Sequence, residues 1–388
     1  MADLVSPLLD PRAGFSEKDR ALVDRLTRAE AALIAGLPSD DPNDPKRRRR
    51  VAATATELAE QPDCIAQTLK RNAAAVGTVV ADVAASRPAR IVLTGCGDSL
   101  ACHIGMRQVW ETATGLPAIP VQALELAYYP GSLVDDLTLV IGLSSSGETP
   151  RTVEALLAAR QAGAKTLALT NSEKSSITSV ADHTLMVSAK RVGWPTQAST
   201  AAMALQVQLA DAFAKVMQRP GPLDPLAPGD VEGAVSDALE ASKGADEVGR
   251  TLSGTPILHF TAAGPAYASA LFGAAKVREC SSGHAIAHRL EEVHHYTSVK
   301  PGETMIVIAP PGPSRARAAD TARQIRAWDG RSIGIIDAAD TALATPFDHV
   351  IAMPPVAEAL SPFTYTIPVQ RLAVAMALTE FERADHDP

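Results

Sequence analysis

The sequence predicts an α/β protein of two tandem modules, each a mainly parallel sheet flanked by helices, behind a helical N-terminal preface. Three observations predict it. From Pro88 onward, short apolar runs alternate with helix-length segments, the rhythm of β-α-β units. The rhythm occurs twice with matching spacings of strand, loop and helix, which an internal duplication explains most simply. A dense proline and glycine segment separates the two occurrences.

The preface is assigned to residues 1–70. Leu22, Leu26, Ala29 and Leu33 recur at helical spacing, and the Pro/Asp-rich stretch from Pro38 to Pro45 breaks that helix. A second helical stretch runs from Arg50 to Val76. Within it, Pro62 of Glu60-Gln61-Pro62 either interrupts the pattern or begins a new helix. The run Lys46-Arg47-Arg48-Arg49-Arg50 reads as a solvated helix start beside an acidic linker.

The first module is assigned to 71–222. Its strands are expected at Ile91-Val92-Leu93, Leu137 to Ile141, Thr166 to Leu169 and Thr184 to Val187, with a helix over Pro150 to Ala164. Arg219-Pro220-Gly221-Pro222-Leu223-Asp224-Pro225 and Ala227-Pro228-Gly229 read as the linker. The second module, 230–388, repeats the strands at Ile257 to Phe260, Met305 to Ala309, Ser332 to Ile336 and Val350 to Ala352. Thr94-Gly95-Cys96-Gly97 after the first strand is echoed by Thr261-Ala262-Ala263-Gly264.

At 388 residues the chain has room for two or three domains. A net charge of −8 argues against nucleic acid as a main partner, since backbone phosphate binding draws on clustered Lys and Arg. No apolar run approaches the ~20 residues of a membrane helix, and the N-terminus carries no secretory pattern. The four cysteines have neither metal-ligand spacing nor the density of a disulfide framework, so a reducing cytoplasm is the expected location.

The chemistry concentrates in Ser144-Ser145-Ser146-Gly147-Glu148-Thr149, set between a strand and a helix opening at Pro150. Unpaired N–H groups and the partial positive charge of a helix start attract anions. The hydroxyls add donors, and Gly147 lets the backbone close around a phosphate. A plain serine-rich cap accounts for one such turn. The second turn, Gly95-Cys96-Gly97-Asp98-Ser99, is expected at the same sheet edge, where open α/β sheets place ligands. In the second module the equivalent loop, Pro310-Pro311-Gly312-Pro313-Ser314, lacks those donors. Phosphate is therefore expected in the first module alone.

On these motifs the sequence resembles the sugar isomerase (SIS) domain family, from near Glu60-Gln61-Pro62 to about Pro388. It looks like the two-module isomerase half of glucosamine-6-phosphate synthase, the sugar-phosphate isomerases and the fructosamine-6-phosphate deglycases. The resemblance implies that Ser99, Ser144, Ser145, Ser146 and Thr149 contact the sugar phosphate, with Gly97 and Gly147 shaping the turns. It implies that Ser199, in Gln197-Ala198-Ser199-Thr200, lines the sugar's other side. It makes Glu279, in Lys276-Val277-Arg278-Glu279, the base that moves a proton between the first two sugar carbons, with Lys276 one helical turn before it. His295, at the end of Glu292-Val293-His294-His295, would help open the ring and reach into a neighbouring subunit's site, so a homodimer is implied.

Four features depart from the synthases. No amino-terminal glutaminase is found, Ala201 replaces a lysine, and the chain stops at Asp385-His386-Asp387-Pro388, where a lysine-bearing tail would begin. Tyr296-Thr297 also stand where the synthases have Gly-Pro. Glutamine-dependent amination is not expected.

A carboxylate that takes a carbon-bound proton and a second group that moves protons on oxygen suit aldose–ketose interconversion and fructosamine cleavage alike. Burial against an Ala-rich helix would raise Glu279 and Lys276 would hold it down; an exposed i,i+3 ion pair is the alternative. An imidazole suits acid/base work near neutral pH. His284 and His288 would share a helix face and with Glu291 or Glu292 permit a metal, but the family chemistry needs none. No metal or cofactor is expected. Cys280 reads as a small buried residue. The expected function is a sugar-phosphate isomerase or deglycase acting on a phosphorylated ketose, amino sugar or fructosamine. Its alternatives are a non-catalytic sugar-phosphate-binding regulator and an ammonia-dependent aminotransferase.

Overall fold

A computed structural model describes residues 14–218 and 228–386. Three helices open it: α1 (Glu17–Ala35), α2 (Pro45–Ala59) and α3 (Gln61–Ala85). Ser16 caps α1 and Asp44 caps α2, each side chain accepting a backbone N–H two or three residues on. Pro62 sits in the first turn of α3, where a missing N–H costs nothing, so the proline begins a helix.

The basic run is a solvated face only in part: Lys46 and Arg49 are exposed, whereas Arg47, Arg48 and Arg50 are not. Arg47 is 2% exposed, donates to the Cys280 carbonyl at 2.9 Å and pairs with Glu380. Arg48 pairs with Asp385 at 2.9 Å, and both guanidiniums lie within 5.2 Å of the Phe381 ring centroid. A buried charge must be paired, and here the partners come from the far end of the chain. The run clasps the preface onto the second module.

The first module contains β1 (Arg90–Gly95), α4 (Asp98–Thr114), β2 (Ala118–Gln122), α5 (Ala123–Tyr128), β3 (Thr138–Leu143), α6 (Pro150–Gln161), β4 (Lys165–Thr170), α7 (Ser176–Val180), β5 (His183–Met186) and α8 (Gln197–Val216). Its strands are all parallel in the order β2-β1-β3-β4-β5. Residues 219–227, most of the expected linker, lie outside the described residues, and Pro228 opens α9 (Pro228–Ala241). There follow α10 (Gly244–Leu252), β6 (Ile257–Ala262), α11 (Tyr267–Cys280), β7 (His284–Arg289), α12 (Glu292–His295), β8 (Thr304–Ala309), α13 (Arg315–Ala327), β9 (Arg331–Asp337), α14 (Thr341–Ala344), β10 (His349–Met353), α15 (Ser361–Thr364) and α16 (Thr366–His386). The second sheet is parallel in the order β7-β6-β8-β9-β10, the same winding as the first. The duplication read from spacing is thus a duplication of topology.

The two strands missed in the sequence, β2 and β7, are both edges next to the first strand of their sheet. β2 carries Pro120, which an edge tolerates, and β7 is mostly exposed or half-buried, with only Ala285 buried. Because β7 is a strand, His284 and His288 do not share a helix face as the metal alternative required. His288 instead meets His259 of β6 at 3.0 Å. Among the described residues no helix is long and apolar enough to cross a membrane.

One apolar core runs through both modules, from Val51 of α2 to Phe381 of α16. At its centre α4 crosses α11. A methyl group at Gly105 of α4 would sit 3.0 Å from the Ala268 side chain, so small residues on both helices permit the approach. That crossing brings the end of α11 to the start of α4.

Candidate active site

A cavity of about 500 Å³ opens at the carboxyl edge of the first sheet. Parallel strands all end there, and the helices that follow begin there, so helix N-termini converge. Three do. The cavity is lined by Cys96, Gly97, Asp98 and Ser99 at the start of α4, by Ser145, Ser146 and Thr149 at the start of α6, and by Ala198 and Ser199 at the start of α8. Each contributes unpaired N–H groups and partial positive charge.

The serine loop has an internal scaffold. Gly147 has φ +69°, and a Cβ there would collide with Ser175 Oγ. Ser144 is buried, bonds Thr149 Oγ1 at 2.9 Å and accepts the Gly147 N–H. Glu148 turns away and caps α7 through the Ser176 N–H at 2.8 Å and hydroxyl at 2.6 Å. Ser144, Gly147 and Glu148 therefore shape the loop, while Ser145, Ser146 and Thr149 present to the cavity. In the second module Gly264 has φ +55°, against +54° at Gly97, so the turn geometry is retained. There the Glu358 carboxylate lies against Gly264 and Gly312, filling the space between those loops.

The second module supplies the cavity's other wall. Ala275, Arg278 and Glu279 line it from the last two turns of α11. Lys276, 1% exposed, lies behind them, bonding Asp98 Oδ2 at 2.8 Å and also Glu279. Two carboxylates, one from each module, thus share one buried ammonium. Burial pushes the Glu279 carboxyl above the usual carboxylate range, Lys276 pulls against that, and the Asp98 charge pushes it up further. Burial alone would lower Lys276, but Asp98 and Glu279 more than reverse this, so it stays an ammonium. Burial pushes the Cys280 thiol up to about 12, which keeps it protonated and unreactive.

Of the residues singled out in the sequence, the structure brings Gly97, Ser99, Ser145, Ser146, Thr149, Ser199 and Glu279 to one cavity, with Ser144, Gly147 and Lys276 directly behind. His295 does not join them. It lies on α12, largely exposed, 3.9 Å from Glu291. Sequence reasoning assigned no role to Asp98 and Arg278, although both stand within the quoted motifs. It also missed Asn171, after β4, and Arg191, after β5. Those two follow strands without any motif around them, and only the strand order brings them to the cavity.

The SIS domain profile matches residues 85–216 and 255–380. Glutamine--fructose-6-phosphate aminotransferase [isomerizing] of Methanothermobacter thermautotrophicus is 31% identical over 321 residues, 82% of this chain and 53% of that protein. The chain thus spans about half the length of that relative. Among solved structures, the C-terminal domain of glucosamine-fructose-6-phosphate aminotransferase from Francisella tularensis superposes with a TM-score of 0.74 at 22% identity, covering 84% of this chain and 94% of that one. Tagatose-6-phosphate ketose/aldose isomerase from Escherichia coli gives 0.71 at 20% identity, covering 84% and 92%. At those identities the superpositions speak to the fold.

Proposed function

The chain belongs to the SIS domain family, and from that premise we propose that it is an enzyme moving a proton between adjacent carbons of a phosphorylated sugar. One observation carries the proposal. The carboxylate of Glu279 lines the same cavity as three converging helix N-termini, although the two come from different modules. The phosphate sits in the cup of Ser99, Ser145, Ser146 and Thr149, and the carbonyl end of the sugar extends toward α11. The names of the relatives, which include fructose 6-phosphate and tagatose 6-phosphate, support a six-carbon ligand.

Glu279 takes the proton from the carbon next to the carbonyl. The C–H electron pair becomes the double bond of an enediol, or of an enaminol if the substituent is an amine. Returning the proton to the neighbouring carbon completes an isomerisation; with an amine substituent the same step gives an imine, which water hydrolyses to the aldose phosphate and the free amine, a deglycation. Lys276, behind the cavity wall, sets the charge balance of Glu279 and acts as a positioning residue, while Asp98 shares that ammonium from the cavity's lining. His295 opens the ring from a second subunit, in a homodimer whose site is shared.

The position of His295 outside the cavity also favours a second reading, a protein that binds sugar phosphate without turning it over. One experiment separates the two. A panel of aldose, ketose, amino-sugar and fructosamine phosphates is incubated with the protein in D₂O and followed by proton NMR. Deuterium entering the carbons at the reducing end supports the enzyme. Binding with no exchange from any member supports the sensor and refutes the proposal.

A further inference from the structure

The cup assigned to phosphate is electrically neutral in its side chains: Ser99, Ser145, Ser146, Thr149 and Asn171. The cavity's two arginines come from other elements. Arg278 lines it from the last turn of α11, beside Glu279, and Arg191 lines it from the loop after β5. Asn171, which accepts from the Ser145 hydroxyl, donates to the Ala189 carbonyl at 3.1 Å, and Arg191 enters the cavity two residues beyond that contact.

Several arginines of this acidic chain pair with carboxylates, as Arg47 does with Glu380, Arg151 with Glu154 and Arg371 with Asp246. Arg191 and Arg278 have no carboxylate within ion-pair distance among the described residues. The Arg278 Nε donates to Ala274 of its own helix at 3.1 Å, leaving the terminal nitrogens uncommitted. Glu57 acts on Arg191 from further off, with its Oε1 held by the Val192 and Gly193 N–H groups. Beside them Arg50 stacks 3.5 Å over the Trp194 ring, its Nε buried without a hydrogen-bond partner. Guanidiniums left without counter-charge in a cavity wall are matched to a planar or tetrahedral oxyanion, which they bind bidentately.

Resting on the sugar-phosphate reading, we infer that the ligand carries a second anionic group at its reducing end, held by Arg191 and Arg278. A simple hexose 6-phosphate offers only hydroxyls and a carbonyl there. A carboxylate, as in an amino acid condensed with the sugar, or a second phosphate supplies the missing charge. The group lies beyond Glu279, on the side where a leaving amine departs.

The test is isothermal titration calorimetry with three probes: fructose 6-phosphate, fructose 1,6-bisphosphate and the glycine adduct 1-deoxy-1-glycino-fructose 6-phosphate. Wild-type protein is compared with Arg191→Ala and Arg278→Ala, whose folding is checked by thermal melting. Charge-assisted hydrogen bonds of this kind correspond to about a tenfold gain or more. The expected result is that one of the doubly anionic probes binds wild type about tenfold tighter than fructose 6-phosphate, and that this ratio collapses in both variants. Preference for the glycine adduct assigns the group as a carboxylate, and preference for the bisphosphate assigns it as a phosphate. Equal binding of all three probes overturns the inference. So does an equal loss of fructose 6-phosphate affinity in the variants, which would put the arginines on the first phosphate. If no probe binds, the sugar-phosphate reading falls and takes this one with it. Variants that fail to melt like wild type are replaced by Arg191→Lys and Arg278→Lys, which keep the charge but lose the bidentate fork and are expected to retain only part of the ratio.

Discussion

Replacing Lys276 by methionine tests the arrangement that joins the two modules. The side chain is 1% exposed and lies between Asp98 and Glu279, whose own side chains are 16% and 27% exposed. Removing one partner of a buried ion pair typically costs about 3–5 kcal/mol, because the charge left behind has lost its solvation. Here two carboxylates are left facing each other, so the upper half of that range is expected at pH 7.5. The sign of the pH dependence follows from Glu279. Its folded carboxyl is already raised by burial, with Lys276 the main group opposing the rise. In Lys276→Met that opposition is gone, and the folded state binds a proton more readily than the unfolded state. A carboxyl raised on folding favours the fold below its unfolded pKa and loses that favour as pH climbs through the folded value. The cost of the substitution should therefore be largest at pH 7.5 and shrink by pH 5. Urea unfolding of wild type, Lys276→Met and Lys276→Met/Asp98→Asn at both pH values measures it. The double variant should recover roughly half the loss at pH 7.5, since one of the two uncompensated charges is removed. A loss below about 1 kcal/mol, as for an exposed pair, or a loss that grows on acidification, would refute the reasoning.

Two further outcomes follow from the same geometry. Gly147→Ala forces a Cβ into a residue at φ +69° and against Ser175. A left-handed backbone costs about 1–2 kcal/mol and overpacking about 1–3, so urea unfolding should show a loss of about 2–5 kcal/mol, with phosphate affinity in calorimetry falling as the loop is displaced. For the pH profile, Glu279 must be ionised to act as base, so the acid limb of kcat/KM should lie above the ordinary glutamate range. Asp98→Asn removes one cause of that rise and should move the limb to lower pH; a limb that moves up would contradict the assignment.

Much of this was legible in the sequence, for identifiable reasons. β3 and β8 are buried along their whole length and read as continuous apolar runs. The serine loop is legible because its glycine meets a positive φ and its following proline suits the first helical position. β2 and β7 escaped because an edge strand needs no apolar run. Arg47 was misread because its partners, the Cys280 carbonyl and Glu380, lie 233 and 333 positions away. A charge run shows its character only against what it touches. The same limit applies to Ser144, whose hydroxyl turns inward while its neighbours face the cavity. It applies again to Arg191 and Arg278, which are ordinary surface arginines until the strand order and the crossing of α4 with α11 set them around one space.

Glu279 is proposed to move the proton on a phosphate-anchored sugar. The most direct measurement compares Glu279→Gln with wild type on the substrate found by the D₂O panel, reading exchange by NMR and binding by calorimetry on the same samples. General-base catalysis contributes about 10²–10⁴-fold. Exchange should fall by at least the lower figure with binding retained. Exchange at the wild-type rate in Glu279→Gln would contradict it.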